Sequence, residues 1–188
     1  FPAHATGDVV ARRALGSALS DLAAMAATPT GCLLTWGIGP DWDESFFAEF
    51  AKAFGATLYT YNVDLWGGDT VRATTPFISV CVHGIGRKPD LLSRSGARAG
   101  DAVYVSGTIG DGFLGLQDFA TGANGAARAA YERPVPQLAL GQALAGVASA
   151  CIDVSDGLAG DLDHICRASG VAMEIEASAV PLSAAGAA

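Results

Sequence analysis

Basic residues are scarce in this chain: 11 Lys and Arg stand against 19 Asp and Glu, a formal net charge of −8 over 188 residues. Nucleic-acid surfaces need clustered Lys and Arg to hold phosphate, so no nucleic-acid partner is expected. The nearest approaches to a patch are Arg12–Arg13, Arg87–Lys88, Arg94 and Arg98. Long apolar runs are also missing. A membrane helix needs about 20 consecutive apolar residues; Leu22–Ala27 is too short, and charges, Gly or Pro interrupt everything longer. No membrane association is expected.

Cysteine is sparse. Cys32, Cys81, Cys151 and Cys166 stand singly in apolar stretches, with no zinc spacing and no disulfide framework. Free buried thiols in a reducing cytoplasm are the reading. Three dispersed histidines, His4, His83 and His164, offer no catalytic pair, and no Ser-His-Asp or Cys-His set can be assembled. The first residue is Phe1 and nothing after it resembles a signal peptide. A processed, engineered or fragmentary chain is implied, and the motifs favour a fragment.

A core is abundantly provided for. Hydrophobic residues make up 51% and charged residues 16%, which excludes a disordered tail or polar linker. The length fits one large domain or parts of two. Apolar residues recur at helical spacing over Asp8–Ala27 and over Asp43–Phe54, where Phe46, Phe47, Phe50 and Phe54 share a face. Ala56–Asn62 reads either way, because Thr57, Tyr59 and Tyr61 alternate like a strand. Gly31–Gly37 and Pro76–Gly84 read as strands, as do Ala102–Thr108, Ala150–Val154 and Val171–Ala177. Helices are expected over Asp111–Ala120, Pro136–Ala148 and Asp156–Ser169. The class is α/β or α+β, with Ser93–Gly100 as the candidate domain boundary.

Three acidic motifs place Asp where a soluble core usually has none: Leu19–Ser20–Asp21–Leu22, Trp66–Gly67–Gly68–Asp69–Thr70 and Ile152–Asp153–Val154–Ser155–Asp156–Gly157. An ionised carboxylate near a core is costly unless it is paired or bound to metal. Magnesium takes a few carboxylates together with water and phosphate oxygens, so Asp21, Asp69, Asp153 and Asp156 can build such a site. Gly67 and Gly68 let backbone amides approach a phosphate. Each motif also has a plainer reading. Ser155 or Asp156 can be a helix N-cap, Gly68–Asp69 a turn, and Asp21 a solvent-facing helical residue. Gly107–Gly112 lacks the Walker lysine and the dinucleotide spacing, which favours a structural strand-to-helix turn. Packing or capping is the plain role for His164. Arg94 can clamp a phosphate or lie on a surface linker.

Five segments together resemble the thiamine-monophosphate kinase family: Ala18–Pro29 (ALSDLAAMAATP), Leu65–Ala73 (LWGGDTVRA), Ser93–Asp111 (SRSGARAGDAVYVSGTIGD), Glu132–Leu144 (ERPVPQLALGQAL) and Cys151–Ile165 (CIDVSDGLAGDLDHI). Their order and spacing match across nearly the whole chain. Ala18 stands where the family commonly has Asn, Val71–Arg72–Ala73 where it has Thr-Arg-Gly, and Gln137 where it has Arg.

The resemblance implies the two-domain α/β architecture of the aminoimidazole ribonucleotide synthetase-like superfamily. Residues 1–92 would form an ATP- and magnesium-binding N-terminal domain and 93–188 a C-terminal one, both incomplete. It further implies a cytoplasmic homodimer that transfers the γ-phosphoryl group of ATP directly to thiamine monophosphate, making thiamine diphosphate. Asp21, Asp69, Asp153 and Asp156 resemble the magnesium ligands. Gly68, Asp69, Arg94 and Ser155 resemble the ATP contacts. No general base is implied. The family's terminal motifs, including the segments that hold the substrate, are absent from these residues, so the substrate contacts stay unassigned and little turnover is expected of the piece alone. Two alternatives stay open: another ATP-dependent enzyme of the superfamily acting on a different small substrate, and a non-catalytic interaction module.

Overall fold

The computed structural model describes residues 1–2, 4–40 and 42–187. The first helix, α1 (Gly7–Ala24), begins where the Thr6 hydroxyl accepts a bond from the Val9 amide at 3.4 Å. Strand β1 (Thr28–Ile38) follows. The helix α2 (Glu44–Tyr61) opens on Asp43, whose carboxylate accepts from the Phe46 amide at 2.9 Å, and closes on Asn62 in the left-handed conformation. Strands β2 (Asp64–Arg72) and β3 (Phe77–Ile85) complete a sheet of order β2-β1-β3, with β1/β2 parallel and β1/β3 antiparallel. The parallel pair requires a crossover, which α2 supplies.

The core lies between the two long helices and the sheet. Val10, Leu15, Leu19 and Leu22 of α1 meet Phe50, Ala53 and Phe54 of α2 and Cys32 of β1. Phe50 and Phe54 stack at 5.3 Å, and Trp36 leans on Phe50 at 5.0 Å. The ambiguous Ala56–Asn62 segment is helical to Tyr61: Thr57 is buried and its hydroxyl donates to the Ala53 carbonyl at 2.8 Å.

The second half holds α3 (Asp111–Thr121), the short α4 (Arg128–Glu132) and α5 (Leu138–Ala143), and α6 (Leu158–Ser169). Three expectations fail here. Ala102–Thr108, Ala150–Val154 and Val171–Ala177 are not strands among the described residues. Alternation reports which side chains are apolar, whereas a strand also needs a neighbouring edge to pair with. Among the described residues these segments pair with no strand; Val103, Tyr104, Val154 and Ile175 stay exposed. Two helices are shorter than expected. The first starts at Leu138, not Pro136, and the second at Leu158, because Gly157 at φ 126° lies outside helical geometry.

The basic pairs of the sequence are internally engaged. Arg12 pairs with Asp8 at 2.9 Å, Arg87 with Asp90 at 3.3 Å, and Arg13 lies 3.8 Å over the Tyr131 ring. All four cysteines are free, yet only Cys32 is fully buried. Cys81 is exposed because the pleat of β3 puts it on the same outward side as His83, 3.8 Å away. Among the described residues no helix is long and apolar enough to cross a membrane.

Candidate functional site

Asp21 sits in the last turn of α1, between the buried Leu19 and Leu22, which fix the rotation of the helix and leave Asp21 at its open edge. Five hydrogen bonds then gather later segments around it. The Leu92 amide donates to the Met25 carbonyl at 3.1 Å, and the Cys151 amide to the Ser93 carbonyl at 2.9 Å. The Ser169 hydroxyl at the end of α6 donates to the Arg94 carbonyl at 3.1 Å and accepts from the Gly96 and Ala97 amides at 3.1 and 3.2 Å. Arg94 is thereby held between the end of α1, the segment leading to Asp153, and the end of α6.

The electrostatics register this convergence. The Asp21 carboxyl is pushed above its ordinary range, first by desolvation and then by the neighbouring Asp153 carboxylate, while Arg94 pulls it back down. The side chain keeps its outer edge in solvent, but surrounding atoms strip part of the hydration that an ionised carboxyl needs. Of the predicted set, Asp153 and Arg94 are the members that the fold brings within electrostatic reach of Asp21.

Asp69 is placed differently. The GGDT motif is neither a strand end nor a turn: it lies within β2, with Gly68 opposite Leu34 and Asp69 opposite Thr35 of β1. A one-residue bulge at Trp66 precedes it, since Leu65 pairs with Cys32 and Gly67 with Leu33. Gly67 and Gly68 take φ 147° and 149°, and a Cβ on Gly68 would fall 1.7 Å from the Leu34 carbonyl oxygen. The two glycines let the ladder continue where a turn was the alternative. Asp69 is exposed, accepts from the Thr70 amide at 2.8 Å, and lines an open groove with Leu34, Trp36, Leu65, Gly67, Gly68 and Thr70.

Ser155 and Asp156 do not cap α6, contrary to their plainer reading. The N-cap is Gly157, without a side-chain bond. One carboxylate oxygen of Asp161, in the first turn of α6, instead accepts from the Ser155, Asp156 and Gly157 amides at 2.9, 3.1 and 3.1 Å. Asp161 is only 3% exposed, whereas the Ser155 and Asp156 side chains face solvent. Sequence reasoning passed over Asp161. Its signal is position: it stands four residues before Ile165, on the buried stripe of α6.

Among the described residues no three His, Cys, Asp or Glu side chains are grouped closely enough to hold a metal ion by themselves. His164 is exposed and does not pack. In the Gly107–Gly112 turn the Asp111 carboxylate takes bonds from the Ser183 and Thr108 hydroxyls, which hold it below the usual carboxylate range and leave it a structural role.

A mixed α/β chain that brings Asp153 and Arg94 into the field of Asp21 points to a class. Residues 1–86 match AIR synthase related protein, N-terminal domain, and residues 98–187 match AIR synthase related protein, C-terminal domain. The chain belongs to the AIR synthase related family. Within that family its homologues are thiamine-monophosphate kinases. That of Haemophilus influenzae is 38% identical over 180 residues, which is 93% of this chain and 54% of the relative. The crystal structure of thiamine-monophosphate kinase from Stenotrophomonas maltophilia K279a aligns with a TM-score of 0.90 at 35% identity, over 98% of this chain and 61% of that one. The structure of AaThiL complexed with AMPPCP and TMP aligns with a TM-score of 0.90 at 28% identity, over 96% and 60% of the two chains. The chain spans about half the length of the curated relatives it matches.

Proposed function

We infer that this chain carries the ATP- and magnesium-binding part of an enzyme that phosphorylates thiamine monophosphate to thiamine diphosphate. The observation that carries the reading is the close alignment with the kinase structure complexed with AMPPCP and TMP. In the reaction a phosphate oxygen of thiamine monophosphate bonds to the γ-phosphorus of ATP, the bond from that phosphorus to the β–γ bridging oxygen breaks, and ADP leaves. An acceptor phosphate oxygen is already ionised, so no general base is needed. Such transfer depends on positioning and on neutralising spread negative charge.

Asp21, Asp69, Asp153 and Asp156 would hold magnesium. The donor set fits the ion: all are hard carboxylate oxygens, and the mutual repulsion of Asp21 and Asp153 is what a bound cation relieves. Magnesium usually keeps waters and takes substrate phosphate as its remaining ligands, so these carboxylates would not need to form a closed cage. When bound, the ion neutralises and orients the phosphate oxygens. Arg94 would take a phosphate oxygen with its planar fork. Gly68 leaves room for the nucleotide beside Asp69, and Ser155 offers a hydroxyl to ATP.

We divide the chain at residues 92 and 93 into N- and C-terminal domains, and place the enzyme in the cytoplasm as a homodimer. Exposed Leu33, Leu65, Trp66, Phe77 and Ile85 on the three strands favour a partner subunit there. The test uses the complete reading frame with magnesium, ATP and thiamine monophosphate, reading thiamine diphosphate by mass. Product that disappears in Asp69→Asn supports the reading. Magnesium-dependent ATP binding without product moves it to another enzyme of the superfamily, and no binding favours an interaction module.

A further inference from the structure

The turn before α6 poses a problem that its own side chains do not solve. Three consecutive amides, Ser155 to Gly157, point the same way, and Gly157 at φ 126° lets them converge. Such a nest at a helix N-terminus attracts an anion, and in a nucleotide-binding cleft a phosphate oxygen is an obvious occupant. Here the nest is already filled. A single oxygen of the buried Asp161 accepts all three bonds within 3.1 Å.

We propose that Asp161 is a positioning residue for phosphoryl transfer: it fills the Ser155–Gly157 amide nest with an internal carboxylate and so fixes the directions of the Ser155 and Asp156 side chains. The proposal rests on the kinase reading above. It has two consequences. Substrate phosphate is not bound by these backbone amides, so recognition at this turn runs through side chains and magnesium. The turn is also set before ligand arrives. Ser155 and Asp156 are released from capping, remain exposed, and need little reorganisation on binding.

The experiment compares complete wild-type protein with Asp161→Asn and Asp161→Ala. Asn keeps an oxygen of nearly the same reach while removing the charge, so it guards against simple unfolding of the Ala variant. Hydrogen exchange at the 155–157 amides is expected to speed up in both, with the rest of α6 little changed. Magnesium-dependent AMPPCP affinity is expected to fall between about 10- and 100-fold, the usual effect of removing a group that supports a metal ligand. The loss should be smaller in Asn than in Ala, and in Asn turnover should recover at high magnesium. Faster exchange at these amides with unchanged AMPPCP affinity and unchanged magnesium dependence would overturn the proposal, leaving Asp161 a structural residue only. Unchanged exchange in both variants would overturn it too. Failure of the kinase reading looks different: wild-type protein would bind magnesium–AMPPCP, and lose that binding on Asp161 substitution, yet form no thiamine diphosphate.

Discussion

Replacing Gly68 by alanine separates two reasons for a glycine beside a nucleotide: room for the ligand and room for the chain's own backbone. The new Cβ would lie 1.7 Å from the Leu34 carbonyl oxygen and 2.5 Å from its carbon, and this is backbone that no rotamer change can move. The neighbouring Gly67 provides the control. Its φ of 147° is nearly the same as the 149° of Gly68, but nothing lies within 4 Å of a Cβ built there. Gly67→Ala therefore carries conformational strain alone, about 1–3 kcal/mol. Gly68→Ala carries the same strain and must also push β2 away from β1, adding about 1–3 kcal/mol as overpacking does elsewhere. At about 2–4 °C per kcal/mol for a chain of this size, Gly68→Ala should melt several degrees below Gly67→Ala without any ligand present. Thermal unfolding of both variants, checked by urea titration, reads the difference. Equal losses would refute the reasoning, because they would mean that the close approach to Leu34 costs nothing and that Gly68 serves only the ligand.

The remaining predictions concern the site's charge and the core. Because the Asp21 carboxyl is pushed upward in the folded protein, the folded state binds its proton more tightly than the unfolded state. Its contribution to stability is present below the ordinary aspartate range and is lost as pH rises through the raised value. Asp21→Asn should accordingly raise the melting temperature of magnesium-free protein at neutral pH, with the gain shrinking as the solution is acidified. The same substitution should weaken magnesium-dependent ATP binding, measured by calorimetry. Phe50→Ala should cost about 3–5 kcal/mol, since Phe50 is 1% exposed and stacks between Trp36 and Phe54; denaturant unfolding measures it.

The first half of the fold was legible because its patterns are local. Helical spacing marks α1 and α2, and alternation marks β3 through Phe77, Ser79 and Cys81 on one side and Ile78, Val80 and Val82 on the other. Even the Ala56–Asn62 ambiguity has a local answer: Thr57 continues the Phe50–Phe54 face of the helix, while Tyr59 is 90% exposed. The GGDT strand was hidden because glycine pairs usually signal turns, and only the proximity of Leu34 explains why they stay in the ladder. The strands expected in the second half failed for a non-local reason: among the described residues they pair with no other strand. The site divided in the same way. Asp21, Asp153 and Arg94 were legible as motifs, whereas their convergence depends on the Ser169 hydroxyl and the Leu92 amide, which no motif announces.

The charge inventory connects the fold to its chemistry. Arg12, Arg87, Arg128 and Arg167 are each committed to a carboxylate on a neighbouring turn, and Arg13 to Tyr131. None of Asp21, Asp69, Asp153 and Asp156 forms an ion pair among the described residues. Had stability been the determinant, the obvious arrangement would turn a basic side chain toward Asp21 and Asp153. Instead Arg94 reaches Asp21 only as a longer-range field, too weak to bring it back to its ordinary range. The buried acid, Asp161, by contrast accepts three amides on one oxygen. The fold thus treats its carboxylates in two ways, engaging the one that shapes the turn with three amides and leaving Asp21, Asp69, Asp153 and Asp156 without an ion pair among the described residues. Asp21 and the neighbouring Asp153, on separately anchored segments, would bind a divalent cation with a larger gain than a pre-neutralised pair, because the cation would remove a repulsion already present in the folded chain. That is why the destabilising arrangement at Asp21 and the proposed magnesium chemistry are one feature, and why Asp21→Asn is expected to move stability and ATP binding in opposite directions.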